Sequence, residues 1–246
     1  MFKQLEKNEK MLEYFIGKLI VEKGLIKHGD SILIGLSGGK DSWTLAYFLK
    51  KFQAKASIKF EVALASIDVL LQPKQKEILK KGATQLGLDF FLINNNIEQI
   101  ISAKRHPGTS YCSLCRKLRQ AYLYRAAQDL GYNKIAFGHH FDDFVESYMT
   151  NILYHGRTKS LPAIVTAQNG LGQLIRPMLY CPQKVIARFA KLKKMPIITC
   201  HCKGSNQPDP KKIAIHKLLN NLERNNPGAK RSIFAAAKNI VTDHVF

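Results

Sequence analysis

The pattern change at residue 37 constrains this chain more than any other feature. Ser31-Ile-Leu-Ile-Gly-Leu36 is a run of apolar β-formers, which predicts a buried strand. It breaks into Ser37-Gly38-Gly39-Lys40-Asp41-Ser42, after which residues 43–50 carry the pattern of a helix that begins on Asp41-Ser42. A strand that turns through two glycines into a helix brings backbone N–H groups to one point. The helix dipole adds partial positive charge there, and Lys40 adds a full one, so such a turn binds phosphate. It is not a Walker A loop: three residues, rather than four, lie between Gly35 and Gly39-Lys40, and Asp41 follows the lysine. An ordinary glycine turn with a solvated lysine is the alternative.

Strand and helix patterns alternate along the rest of the chain. Residues 7–26 predict a leading helix; 60–67, 89–93, 134–137 and 174–177 predict four further strands. Helices are expected over 74–86, 97–103, 112–130, 142–154, 182–193, 211–224 and 229–239, with a short extended piece at 196–199. This alternation predicts an α/β fold, a parallel five-stranded Rossmann-like sheet with helices on both faces and helical segments at each terminus. Three parts are expected: an N-terminal helix over 1–28, a nucleotide-binding domain over 29–180, and a C-terminal segment over 181–246. Ligands of such sheets sit beyond the carboxyl ends of the strands. The 37–42 turn, Asp68 and Gly138-His139-His140 each follow a predicted strand, so all three should face one crevice.

Gly138-His139-His140-Phe141-Asp142-Asp143 is the second informative segment. Asp142 is well placed as an N-cap. Two carboxylates exceed what a cap needs, and beside a nucleotide they hold Mg²⁺, which takes one or two carboxylates plus phosphate oxygens. His139, next to the glycine, is a candidate nucleotide contact; His140 has no assigned role. Asp68 is either a site residue or a turn aspartate.

Five cysteines fall mostly in two clusters, Cys112-Ser-Leu-Cys115 at the start of a helix and Cys200-His201-Cys202 in a loop, with Cys181 apart and read as packed. The first pair shares a helix face, and the helix N-terminus with nearby cations favours thiolate, the form that binds soft metals. Lys and Arg number 38 against 18 Asp and Glu, a net charge of +20, which points to nucleic acid or an acidic surface. Basic residues cluster at Lys74, Lys76, Lys80-Lys81, Lys104-Arg105, 116–125, Lys211-Lys212, Arg224 and Lys230-Arg231. No apolar run reaches the ~18 residues of a spanning helix. The N-terminus lacks a signal-peptide core, so a cytoplasmic location is expected.

The hexapeptide Ser37–Ser42 resembles the PP-loop of the ATP-pyrophosphatases. Together with Cys112-Ser-Leu-Cys115, Gly138-His139-His140 with Asp142-Asp143, Ile175-Arg-Pro177, Tyr180-Cys181 and Pro196-Ile-Ile-Thr-Cys200, it is similar to the TtcA family of tRNA 2-thiocytidine synthetases. The resemblance covers residue 10 to the end. It implies an adenine nucleotide alpha hydrolase-like fold, and ATP activation of the C2 oxygen of a cytidine in the tRNA anticodon loop, position 32 in the family, followed by replacement with sulfur. Ser37, Gly38, Gly39, Lys40, Asp41, Ser42, Gly138, His139 and Asp142 would then bind ATP, with Mg²⁺ near Asp142 and Asp143. Asp68, Asp143, Cys112 and Cys115 would be catalytic. A 4Fe-4S cluster would be held by Cys112, Cys115 and one of Cys202 or Cys200. The implied partners are tRNA and a sulfur donor fed by a cysteine desulfurase, and a homodimer is compatible. Lys203 stands where the family has its third cysteine, Phe141 where it often has arginine, and Val69-Leu-Leu-Gln-Pro73 lacks its usual polar, glycine-containing version. Two other readings remain open: an RNA-modifying PP-loop enzyme with a structural zinc site and a different base, and a basic RNA-binding paralogue without catalysis.

Overall fold

β1 (Ser31–Gly35) runs through the middle of the sheet, with Ile32, Leu33 and Ile34 fully buried. A strand covered on both faces reads as one apolar run, which is why its sequence shows no alternation. The computed structural model describes residues 2–104, 111–166, 172–199 and 209–239. Among these, the other strands are β2 (Glu61–Ile67), β3 (Phe90–Ile93), β4 (Lys134–Ala136), β5 (Ile164–Thr166) and β6 (Gln173–Ile175). The order is β3-β2-β1-β4-β6-β5, parallel except for β5, which pairs antiparallel with β6. The five expected parallel strands are present; the five-stranded count is corrected to six by this edge strand. Three residues after Pro162 are too few to carry a periodic signal.

The helices are α1 (Phe2–Lys23), α2 (Lys40–Lys55), α3 (Pro73–Leu86), α4 (Ile97–Lys104), α5 (Tyr111–Asp129), α6 (Phe141–His155), α7 (Gln183–Leu192), α8 (Pro210–Asn225) and α9 (Ala229–Ala236). Alternate β1 residues feed opposite cores. Ile32 and Ile34 join Trp43, Phe48 and Phe189 under α1, α2 and α7, whereas Leu33 joins Ile101, Leu123 and Ile135 under α4 and α5. A small third core of Val145, Ile215 and Leu219 attaches α8 to α6.

The two ends of the sheet differ in chemistry. At the amino end, Lys134 Nζ donates to Asp30 Oδ2 (2.7 Å) and Leu25 O (2.9 Å), and Asn133 Nδ2 donates to Asp30 Oδ1 (3.1 Å). These buried charges are satisfied by one another, which is what keeps such a pair tolerable. The strand order reverses between β1 and β4, and the crevice at their carboxyl ends is where ligands of open α/β sheets bind. No helix among the described residues is long and apolar enough to cross a membrane.

Candidate active site

α2 starts at Lys40, one residue before the expected Asp41, with Gly39 as its N-cap. No side chain caps this end, so the dipole and first-turn N–H groups of α2 are directed into the crevice. Two serines brace the turn. Ser42 Oγ donates to Gly39 O (3.1 Å), Gly39 N donates to Ser37 Oγ (3.3 Å), and the two hydroxyls lie 3.1 Å apart. Lys40 Nζ donates to Asp41 Oδ2 (2.8 Å). The other oxygen, Asp41 Oδ1, is buried without a hydrogen-bond partner, 3.9 Å from His140 Nε2.

The loop after β4 closes on this turn. A Cβ on Gly138 would lie 2.9 Å from the backbone C and O of Asp41, so a side chain there would push the two loops apart. His139 Nδ1 accepts from Arg176 Nε (3.3 Å), while Arg176 Nη1 donates to Pro162 O (2.6 Å). A guanidinium only donates, so neutral His139 carries its hydrogen on Nε2. Burial, followed by the Arg176 charge, lowers the His139 pKa from 6.5 to about 4.

The expected N-cap is displaced by two residues. His140, not Asp142, caps α6: His140 Nδ1 accepts from Asp143 N (3.3 Å), and Asp143 Oδ2 accepts from His140 N (2.9 Å). Asp142 Oδ2 accepts from Gln183 N (2.8 Å), and Oδ1 accepts from Lys230 Nζ (3.2 Å). Asp142 thus ties α6 to α7 and α9, and Asp143 shapes the start of α6. The structural work of buried His140 lacked a sequence signal because histidine is not among the preferred caps; the Asp143 three residues on is the clue available.

Asp68 follows β2 as expected. Its Oδ1 accepts from Leu71 N (3.2 Å) and its Oδ2 pairs with Lys76 Nζ (2.5 Å). The extended piece at 196–199 crosses the phosphate turn: Ile198 N donates to Gly38 O (2.9 Å), and Gln75 Nε2 donates to Thr199 O (2.8 Å). A Cβ on Gly38 would come within 2.2 Å of Ile198 Cγ1, and Gly38 has φ +78°, so glycine is required on two grounds. This contact of Ile198 has no signal in the sequence. Cys200 and Cys202 lie outside the described residues, but the chain enters that stretch from Thr199, at the edge of the turn. Cys112 is in the first turn of α5, and Cys115 is buried with Ile67, Val69, Ile97 and Ile101 near the end of β2. Among the described residues, no three His, Cys, Asp or Glu side chains form a metal-binding group. Cys181 is buried as expected, and burial pushes its thiol pKa up.

Comparison with known proteins agrees with this geometry. A family described as PP-loop domain matches residues 7–205. The chain is similar to the tRNA-cytidine(32) 2-sulfurtransferase of Haemophilus influenzae, with 36% identity over 97% of this chain and 77% of the relative. It is likewise similar to the tRNA-cytidine(32) 2-sulfurtransferase of Citrifermentans bemidjiense, with 34% identity over 94% of this chain and 90% of the relative. Its fold is that of the U34-tRNA thiolase NcsA from Methanococcus maripaludis, solved with its 4Fe-4S cluster. The TM-score is 0.78 at 20% identity, over 98% of this chain and 82% of the other.

Proposed function

The chain belongs to the PP-loop family of the tRNA-cytidine(32) 2-sulfurtransferases, and from that premise we propose that it uses ATP to replace the C2 oxygen of cytidine 32 in a tRNA with sulfur. The C2 oxygen attacks the α-phosphorus of ATP, and pyrophosphate leaves. Sulfide-level sulfur then adds at C2 as the nucleophile, and AMP departs with the original oxygen. The observation that carries this reading is the uncapped α2 N-terminus beside Lys40, closed by Gly138 and crossed by the strap that leads to the second thiol cluster.

Each residue has a separable task. The first-turn N–H groups of α2 and the Lys40 ammonium gather the charge that develops on departing pyrophosphate. Asp41 Oδ1, buried and unpartnered, supports a Mg²⁺ ligand here, because Asp142 is already bonded to Lys230 and Gln183. His139, neutral and held by Arg176, offers an Nε2–H donor to the nucleotide or the base. Asp68 fixes the rim of the crevice through Lys76 and Leu71.

The donor set fits a 4Fe-4S cluster: Cys112 and Cys115 on one helical turn supply soft thiolates, and Cys202 or Cys200 follows the strap pinned to Gly38. When bound, the cluster would supply iron chemistry for carrying sulfide-level sulfur. A separate donor, fed by a cysteine desulfurase, brings that sulfur as a persulfide that a thiol reductant takes to the sulfide level, and the cytoplasm is where tRNA and reduced thiols coexist.

Mass spectrometry of tRNA nucleosides from cells with and without the gene tests the reading. Loss of 2-thiocytidine on deletion, restored by the wild-type gene but not by Lys40→Ala or Cys112→Ser, is the expected result. Unchanged 2-thiocytidine in the deletion strain would refute it.

A further inference from the structure

Outside the crevice, a cavity of about 360 Å³ opens between α1, the start of α6 and α9. Its size is at the lower end of the roughly 300–1,000 Å³ of ligand sites. Phe15, Phe141, Tyr180 and Phe234 form its apolar surface. Phe234 packs against Phe141 at 5.1 Å and edge-on to Tyr180 at 5.7 Å, which makes a fixed aromatic floor. Lys18, Arg231 and Lys238 supply the rim, and no carboxylate is among the residues that line it. Two neighbouring carboxylates are engaged: Glu22 accepts from the Tyr180 hydroxyl (2.9 Å), and Asp142 from Gln183 N and Lys230 Nζ. Lys238 donates to that same hydroxyl (2.6 Å), with its ammonium 4.1 Å from the Tyr180 ring and 4.8 Å from the Phe234 ring.

We propose that this cavity binds an unpaired nucleotide of the tRNA, its base on the aromatic floor and its phosphate at the Lys18–Arg231–Lys238 rim. The proposal rests on the tRNA reading above and extends it to a second subsite. Three arguments carry it. Aromatic faces with cations along one edge match a base and its backbone phosphate, the pairing by which single-stranded RNA is held. Burial most of all, then the Lys23 and Lys18 charges against the opposing Glu22 carboxylate, lowers the Lys238 pKa, and a phosphate at the rim would offset the cost of an ammonium held partly out of water. The cavity also borders the reaction crevice: Phe141 adjoins His140, whose Nε2 is 3.9 Å from Asp41 Oδ1. Arg231 adjoins Lys230, which is bonded to Asp142. A nucleotide held here would place its neighbours along the tRNA strand at the start of α6, beside the phosphate turn.

Binding of fluorescein-labelled, unmodified tRNA transcript to the purified full chain tests this, with binding of a fluorescent ATP analogue as the folding control. The double variant Lys18→Glu/Arg231→Glu should weaken tRNA binding about tenfold and make the salt slope shallower by about 0.7 for each phosphate that is no longer neutralised. Phe234→Leu keeps an apolar side chain but removes the ring; it should weaken binding about tenfold with the slope unchanged. Both should bind the ATP analogue as wild type does. If the double variant keeps wild-type affinity and slope, the subsite is overturned while the tRNA reading stands. If Phe234→Leu alone leaves affinity unchanged, base stacking is overturned and only phosphate contacts survive. If the wild-type chain binds no tRNA, the tRNA reading falls and this proposal with it.

Discussion

Single side chains in the crevice owe their states to what touches them. Arg176 fixes the His139 tautomer, and burial with the same guanidinium lowers its pKa from 6.5 to about 4. As pH falls, the unfolded chain therefore takes up this proton first. The stability associated with neutral His139 is complete above pH 6.5 and is lost progressively down to about 4. Urea unfolding at about pH 7 and about pH 4.5 should show a larger loss for wild type than for His139→Phe. The role proposed for Lys40 is to stabilise charge that appears only as pyrophosphate leaves. Lys40→Ala should lower the rate of pyrophosphate release by about 10²–10³-fold with little effect on folding, as measured by a coupled phosphate assay beside thermal melts.

Elements, rather than residues, bring the 196–199 segment onto the 37–42 turn. The 196–199 strap lies on Gly38, and both φ +78° and the 2.2 Å approach to Ile198 exclude a Cβ there. Gly38→Ala should cost about 1–2 kcal/mol from its left-handed backbone alone, plus the displacement of Ile198. Adding Ile198→Ala should recover the steric part but not the backbone part, as read by thermal melts with and without ATP. The Asp142 carboxylate latches α9 through Lys230, and both side chains are mostly shielded from solvent. Asp142→Asn should destabilise that latch by about 1–3 kcal/mol, seen as faster amide exchange over α9. Strand–turn–helix order was legible in the sequence because the apolar runs and their glycine stops are local signals. The start of α6 was not: His140 acts as cap only because Asp143 answers it, so the sequence position of Asp142 pointed to the wrong residue. β5 was missed for a different reason, since its three residues are specified by β6 rather than by their own pattern.

At the scale of the molecule, the two ends of the sheet divide the labour. The amino end is closed by the buried Asp30–Lys134 pair, and the carboxyl end collects the 37–42 turn, Asp68 and Gly138–Asp143, as the strand order demanded. A chain with a net charge of +20 attracts a polyanion, so tRNA affinity should fall steeply with added salt. The architecture and the phosphate turn could be read from the sequence, because parallel α/β topology puts every strand-end loop at one edge. Which carboxylates are tied up by packing could not, because Asp142 finds Lys230 88 residues away, through tertiary packing. The central claim is that the cytidine C2 oxygen is transferred to the nucleotide, and its most direct test is isotopic. tRNA carrying ¹⁸O at C2 of the target cytidine should yield ¹⁸O-labelled AMP in step with 2-thiocytidine when the cluster-loaded enzyme turns over with ATP and a sulfur donor. Thiolated tRNA accompanied by unlabelled AMP, or formed without ATP cleavage, would contradict the account.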